Sequence, residues 1–219
     1  MPAGAYATPH RRRVGDELYV AIHERIMTGQ LPLGARLSVP ALAQEYEVSR
    51  SPVREAVIRL VHEGLARETV NLGAVVATPD LRELMSLYEA REALEWAAAR
   101  LATEHYTPAL RQRLLAILTE HEQVAKDGDF PRHVSLDASF HRELRQAAES
   151  PVLERMLGGI QDKIVLAMRS TSLTGGMTRA VADHRAIFEA VTSLDQDAAA
   201  EAARAHIHRL KELLREREH

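Results

Sequence analysis

Leu18, Ile22 and Ile26 recur at helical spacing, and Gly29 comes next as a stop signal, which predicts a first amphipathic helix. Leu31-Pro32-Leu33-Gly34 is rich in breakers and reads as a connector. Pro40 suits the first turn of a short helix reaching Tyr46. Ser49 then stands as an N-cap whose hydroxyl can serve an orphan N–H, with Pro52 early in the helix it opens. Val53, Val57 and Leu60 form the packing face of that helix. Beyond Gly64 the pattern changes: residues 65–70 and 74–77 flank Asn71-Leu72-Gly73, a turn tolerant of positive φ, and predict a two-stranded hairpin. Three helices and a hairpin make a winged helix-turn-helix.

Thr78-Pro79-Asp80 marks a domain boundary, because Pro79 disfavours helix before it and Asp80 can cap the next helix. From there the apolar periodicity is helical throughout. Six helices are predicted at about 80–105, 108–127, 130–148, 151–172, 176–194 and 196–216, separated by Thr107-Pro108, Gly128-Asp129, Ser150-Pro151, Gly175-Gly176 and Asp195. The expected fold class is therefore mainly α: an N-terminal winged helix-turn-helix and a C-terminal all-α antiparallel six-helix bundle. The corresponding domains are a flexible arm over 1–14, the winged helix-turn-helix over 15–78 and the all-α bundle over 79–219.

Composition narrows the function. The net charge is only −3, with 9 basic against 8 acidic residues up to position 78 and 19 against 23 thereafter. Nucleic-acid binding must then rest on a local patch. Without cysteine, neither disulfides nor thiolate metal sites can form, and this fits a reducing cytoplasm. No apolar run is long enough to span a bilayer, and the N-terminus lacks the apolar core of a signal peptide. A cytoplasmic protein is expected. The arm carries Arg11-Arg12-Arg13 and reads as a solvated tail or a phosphate contact.

Two constellations carry chemistry. Arg50 and Arg54, four residues apart, share a face at the start of the third helix, with Ser51 between them. A recognition helix reads the major groove with its N-terminal residues, and an arginine can take guanine O6 and N7 together. The bland alternative is surface pairing of these arginines with Glu47 and Glu55.

The second constellation lies in the bundle. His133, Asp137, Phe140, His141 and Leu144 share one helical face, His184 lies among Val181, Ile187 and Phe188, and His206 lies on a stripe with Ala199, Ala202, Leu210 and Leu213. Three histidines and an aspartate on inward faces need buried partners. Either a divalent metal or an Asp–His hydrogen-bond network supplies them; zinc is favoured, with nickel, manganese or iron as further choices. His133 is a weaker extra candidate, and His208 faces away. Arg91 falls among Leu84, Leu87, Tyr88, Leu94, Ala98 and Leu101 on an inward face and needs an anion. Glu95 is one candidate; a small carboxylate held by Arg91 and the metal is the other.

These residues resemble a known family over nearly the whole chain: GntR-type bacterial transcription regulators with an FCD ligand-binding domain, in its shorter, VanR-like six-helix version. The resemblance is carried by Gly34-Ala35-Arg36-Leu37, Val48-Ser49-Arg50-Ser51-Pro52-Val53-Arg54-Glu55-Ala56, Glu63-Gly64-Leu65, Arg91-Glu92-Ala93-Leu94-Glu95, Asp137 with Phe140-His141, Asp183-His184 and His206. It implies operator contacts from Arg50, Ser51 and Arg54, beside which Ser49 and Arg36 are further DNA-binding candidates, metal ligation by Asp137, His141, His184 and His206, and an organic-acid effector at Arg91. It further implies a homodimer on a palindromic double-stranded operator, acting as a repressor released by its effector. Three positions depart from the pattern. Leu33 replaces the usual Pro, Val39-Pro40 replaces a charged pair, and Leu72 replaces the wing arginine, which shifts DNA contacts toward the recognition helix. A metal-dependent hydrolase would need an additional general base, and none is evident; a purely structural metal would hold no effector.

Overall fold

In the N-terminal unit, α1 (Pro9–Thr28) lays Leu18, Ile22 and Ile26 against α3 (Arg50–His62), whose Val53, Val57 and Leu60 are equally buried. The computed structural model describes residues 9–70, 72–171 and 176–216, and two compact units meet in the sequence at Thr78 and Pro79. The arm expected over 1–14 is helical from Pro9 onward; Pro is well suited to a first helical turn, and no breaker interrupts the chain before Gly15. Residues 1–8 of that arm lie outside the described residues.

α2 (Val39–Glu45) starts at Ser38, whose hydroxyl accepts from the Ala41 N–H. The turn into α3 passes through Glu47 at φ 54, a left-handed conformation that is unusual for a residue with a side chain. Ser49 occupies the cap position of α3, but its side chain makes no capping bond, contrary to the role expected for its hydroxyl. That hydroxyl is left exposed on the surface.

The wing is β1 (Ala66–Thr69) paired antiparallel with β2 (Gly73–Val76), Ala66 opposite Val76. Gly73 takes φ 75 at the turn; Asn71 lies outside the described residues. Residues before α2 extend this ribbon: Arg36 bridges Val75, and Leu37 N–H donates to Ala74 O at 2.8 Å.

The C-terminal unit contains α4 (Leu81–Glu104), α5 (Pro108–Asp127), α6 (Phe130–Ala147), α7 (Pro151–Thr171), α8 (Met177–Thr192) and α9 (Gln196–Arg215). Asp80, Thr107, Asp129 and Asp195 each accept a backbone N–H three residues on, which starts four of these helices where the sequence breakers stand. Gly175 lies outside the described residues. One core gathers Leu110, Leu114 and Leu118 of α5 with Phe140, Leu144 and Ile187. A second joins Leu84 and Tyr88 to Ile164, Ile207 and Leu214.

α4 and α9 pack against each other extensively, with buried Ala98, Ala99 and Ala102 on one and Ala199, Ala200 and Ala203 on the other. Small side chains allow two helices to approach closely. The buried face of α9 differs from the expected stripe: Ala203, Ile207 and Leu214 are inside, whereas Leu213 is 38% exposed. The run of alanines at 198–200 and 202–203 has no strong period, so Ile207 and Leu214 decide the rotation.

Candidate functional sites

On α3, Arg50 and Arg54 are exposed and, among the described residues, engage in no ion pair. The surface pairing with Glu47 and Glu55 is therefore absent. Ser51 is half-buried, and its hydroxyl donates to Glu55 Oε1 at 3.3 Å. Ser49 and Arg50 line a shallow open groove together with Ser38, Ala41 and Gln44 of the preceding helix. Arg36 is exposed beside the wing. Arg59, by contrast, is committed to the fold: it pairs with Glu63 and Asp16 and lies 3.7 Å over the Tyr19 ring.

Inside the second unit, Asp137 and His141 project together from α6 because four residues make about one turn. α8 brings His184 and α9 brings His206 to the same point. One ligand atom from each of the four lies within 4.8 Å of all the others, and all four residues are buried. Asp137 Oδ1 is 3.4 Å from His184 Nε2. The His184 ring stacks on Phe140, centroids 4.4 Å apart.

Two carboxylates stand behind the imidazoles. Glu95 Oε2 is 3.1 Å from His141 Nδ1, though outside hydrogen-bond angles, and Asp183 Oδ2 accepts from His206 Nδ1 at 3.1 Å. Asp183 is itself anchored by Arg209, whose Nε donates to it at 2.6 Å. This leaves His141 Nε2, His206 Nε2 and both ring nitrogens of His184 buried without a hydrogen-bond partner. Unpartnered buried nitrogens are costly, and a cation that accepts their lone pairs resolves the cost. The donor set of imidazoles plus one carboxylate fits a divalent transition metal. These residues fit such an ion.

The electrostatics agree with that fit. Burial holds His184 well below the usual histidine range, and the neighbouring His206 adds to it. Burial also lowers His206, to about 4, although Asp183 opposes it. For Asp137, burial favours the neutral acid, yet His141, His184 and Arg91 outweigh this and keep it ionised. Neutral His184 and His206 beside an ionised Asp137 are the protonation states that metal ligation requires.

Arg91 is 1% exposed, and its Nε donates to Glu95 Oε1 at 3.3 Å. The expected pair exists, but it satisfies only part of the guanidinium: Nη2 is buried without a partner. Arg91 and Asp137 both line a cavity of about 190 Å³.

Two family profiles match the chain: the gntR family of bacterial regulatory proteins over residues 15–76, and the FCD domain over residues 86–209. The chain belongs to the GntR family and carries an FCD domain. This GntR-family chain is 30% identical, over 199 residues, to the probable D-xylose utilization operon transcriptional repressor of Paenarthrobacter nicotinovorans, covering 90% of this chain and 87% of that one. It is 28% identical to the HTH-type transcriptional regulator LutR of Bacillus subtilis (strain 168), covering 86% and 95%. Among solved structures, E. coli McbR/YncC shares the fold at a TM-score of 0.80 and 20% identity, covering 94% of this chain and 99% of that one. By name, the first of these relatives is a probable transcriptional repressor and the second a transcriptional regulator.

In this GntR-family protein the four sequence-chosen ligand positions meet at one point, and Arg91 lines the adjoining cavity. Sequence reasoning missed His121 of α5, which is buried; its Nε2 lies 2.7 Å from His133 Nδ1. The signal was present, since Leu114, Leu118, His121 and Val124 share one helical face. It also missed the bond from His206 to Asp183, and the burial of Arg145 and Gln161. Among the described residues, no helix is long and apolar enough to cross a membrane.

Proposed function

We propose that this chain is a DNA-binding transcriptional regulator whose operator affinity is set by a small carboxylate bound beside a divalent metal. The observation that carries the reading is the shared position of Asp137. It belongs to the four-residue cluster and also lines the cavity that Arg91, a guanidinium with one buried unpartnered nitrogen, lines as well.

Asp137, His141, His184 and His206 would hold the ion, zinc by preference, with nickel, manganese or iron as alternatives. When bound, the ion supplies Lewis-acid attraction for a carboxylate oxygen through an open coordination position. Arg91 contributes the second anchor, a guanidinium whose free N–H can donate to the same anion. Glu95 keeps Arg91 charged and oriented, and Asp183 fixes the His206 tautomer so that Nε2 faces the cluster.

On the DNA side, Arg50 and Arg54 would reach base edges or phosphates, with Ser49, Ser51 and Arg36 as flanking contacts. Ser51 must exchange its bond to Glu55 for one to the operator. The protein would act in the cytoplasm as a homodimer on a palindromic site, repressing until the acid releases it.

The test uses the full chain and operator fragments selected from genomic DNA. Operator retention is titrated with a panel of small carboxylates, with and without zinc. Release that requires both acid and metal supports the reading. Operator affinity indifferent to every acid and to metal removal would sink the sensing half of it.

A further inference from the structure

The cavity beside the cluster has two chemically different walls. Helices α4 and α6 supply polar side chains: Tyr88 and Arg91 from one, His133 and Asp137 from the other. The facing helices supply apolar ones, chiefly Leu210, Leu213 and Leu214 of α9 with Met168 of α7. At about 190 Å³ the space exceeds that of a lone ion or water, which takes about 30 Å³ in the liquid. It suits a compact organic anion with one polar edge and one apolar body.

His133, like Tyr88, is a polar wall residue that neither the metal cluster nor the Arg91–Glu95 pair uses, and it is the one with a second histidine behind it. It is 3% exposed, and its Nδ1 lies 2.7 Å from Nε2 of the fully buried His121. One proton lies between these two nitrogens. If it sat on His133 Nδ1, a neutral His121 would carry its own proton on Nδ1, and that atom is buried without a partner. An orphaned buried N–H is rarer and worse tolerated than an unfilled acceptor. The favoured arrangement has His121 Nε2–H donating to His133 Nδ1, with a bare lone pair left on His121 Nδ1. Neutral His133 then carries its proton on Nε2 and offers the cavity a donor.

We infer that His133, oriented by His121, is a specificity-determining donor that selects carboxylates bearing a second oxygen acceptor, hydroxyl or oxo, on an otherwise apolar body. The inference rests on the effector-pocket reading above and adds the chemical class of the effector. Arg91 takes the carboxylate, His133 takes the second oxygen, and the leucines of α9 cover the remainder. An acid without that oxygen leaves the His133 N–H buried and unpaired. A second carboxylate in place of the apolar body would be desolvated against leucine without a partner.

The test is calorimetric titration of the full-length, zinc-loaded protein with three probes: 2-hydroxy-4-methylpentanoate, 4-methylpentanoate and hydroxybutanedioate. The first should bind at least about tenfold more tightly than either of the others. Because zinc can itself attract the hydroxyl, the variants are decisive. His133→Phe should bring the ratio of the two monoacids close to one while the affinity for 4-methylpentanoate stays within about threefold. His133→Gln restores an N–H and should recover most of the ratio, which a merely structural role would not produce. His121→Phe leaves His133 in place without its fixed tautomer and should also lower the ratio, so it decides the matter if His133→Phe does not fold.

A ratio that persists in His133→Phe and His121→Phe overturns the donor assignment while leaving the pocket intact. Preference for hydroxybutanedioate overturns the apolar-body class. Failure of all three acids to bind the wild type removes the effector-pocket reading itself.

Discussion

Glu95 Oε2 lies 3.1 Å from His141 Nδ1, and both side chains are completely buried. The same carboxylate accepts from Arg91 on its other oxygen, so it links the candidate metal cluster to the candidate effector anchor. Burial pushes Glu95 toward the neutral acid, but His141 and Arg91 outweigh it and hold it down to about 2.

That placement predicts a metal-affinity effect from a residue that is not itself a ligand. Glu95→Gln keeps the shape but removes the charge behind His141, and zinc affinity should fall by about 10- to 100-fold. Competition against a chelator of known affinity measures it. Unchanged affinity would mean that Glu95 serves only Arg91.

Arg91→Ala should act on a different observable. A bound anion stabilises the folded chain by linkage, so an acid that enters the cavity raises the melting temperature. The substitution should suppress that rise while leaving bound metal in place. It should also lower stability by several kcal/mol, about 3–5, because Glu95 loses a buried partner. A thermal shift equal to that of the wild type would place the acid elsewhere.

The metal-free protein should weaken as the solution is acidified. His121 and His206 are lowered to about 4 in the folded chain, chiefly by burial, and burial also holds His184 well below its ordinary value. The unfolded chain, with histidines near 6.5, therefore binds protons that the folded chain refuses. Stability is fully present above about pH 6.5 and declines toward pH 4, by up to about 1.4 kcal/mol per pH unit for each histidine. Urea midpoints across that range would record the slope. A flat profile would show that these imidazoles titrate alike in the folded and the unfolded chain.

At the DNA, Arg54→Ala should cost about 1–3 kcal/mol on a selected operator if the side chain reads a base. Gel-shift titration against operator and random DNA separates base reading from phosphate contact, since a phosphate contact would weaken both equally. Arg59→Ala offers the contrast, as its pairs with Glu63 and Asp16 belong to the fold. It should alter the melting temperature and leave operator discrimination unchanged.

Much of this arrangement was legible in the sequence because it rests on short-range spacing. Asp137 and His141 are one turn apart, Arg50 and Arg54 likewise, and Pro and Asp at the breakers start helices where they stand. What brings α8 and α9 to α6 is long-range packing, so the bond between His206 and Asp183 left no local trace. Glu95 was readable only as a partner for Arg91; its approach to His141 depends on how α4 meets α6. The face of α9 was misjudged by about one position, since the alanines at 198–200 and 202–203 left the edge of an otherwise clear apolar stripe undefined. His121 was overlooked although its spacing placed it inward, since one histidine on a leucine stripe is ordinary until a second one, His133, is found against it.

If Asp137, His141, His184 and His206 hold a divalent ion, the purified full chain carries it. Elemental analysis after removal of adventitious metal by dialysis counts that ion. Wild-type protein should retain close to one zinc, nickel, manganese or iron per chain, and folded His184→Ala should retain none. Equal metal content in the two proteins, or none in either, would contradict the account and leave the cluster as a buried network of aspartate and histidine.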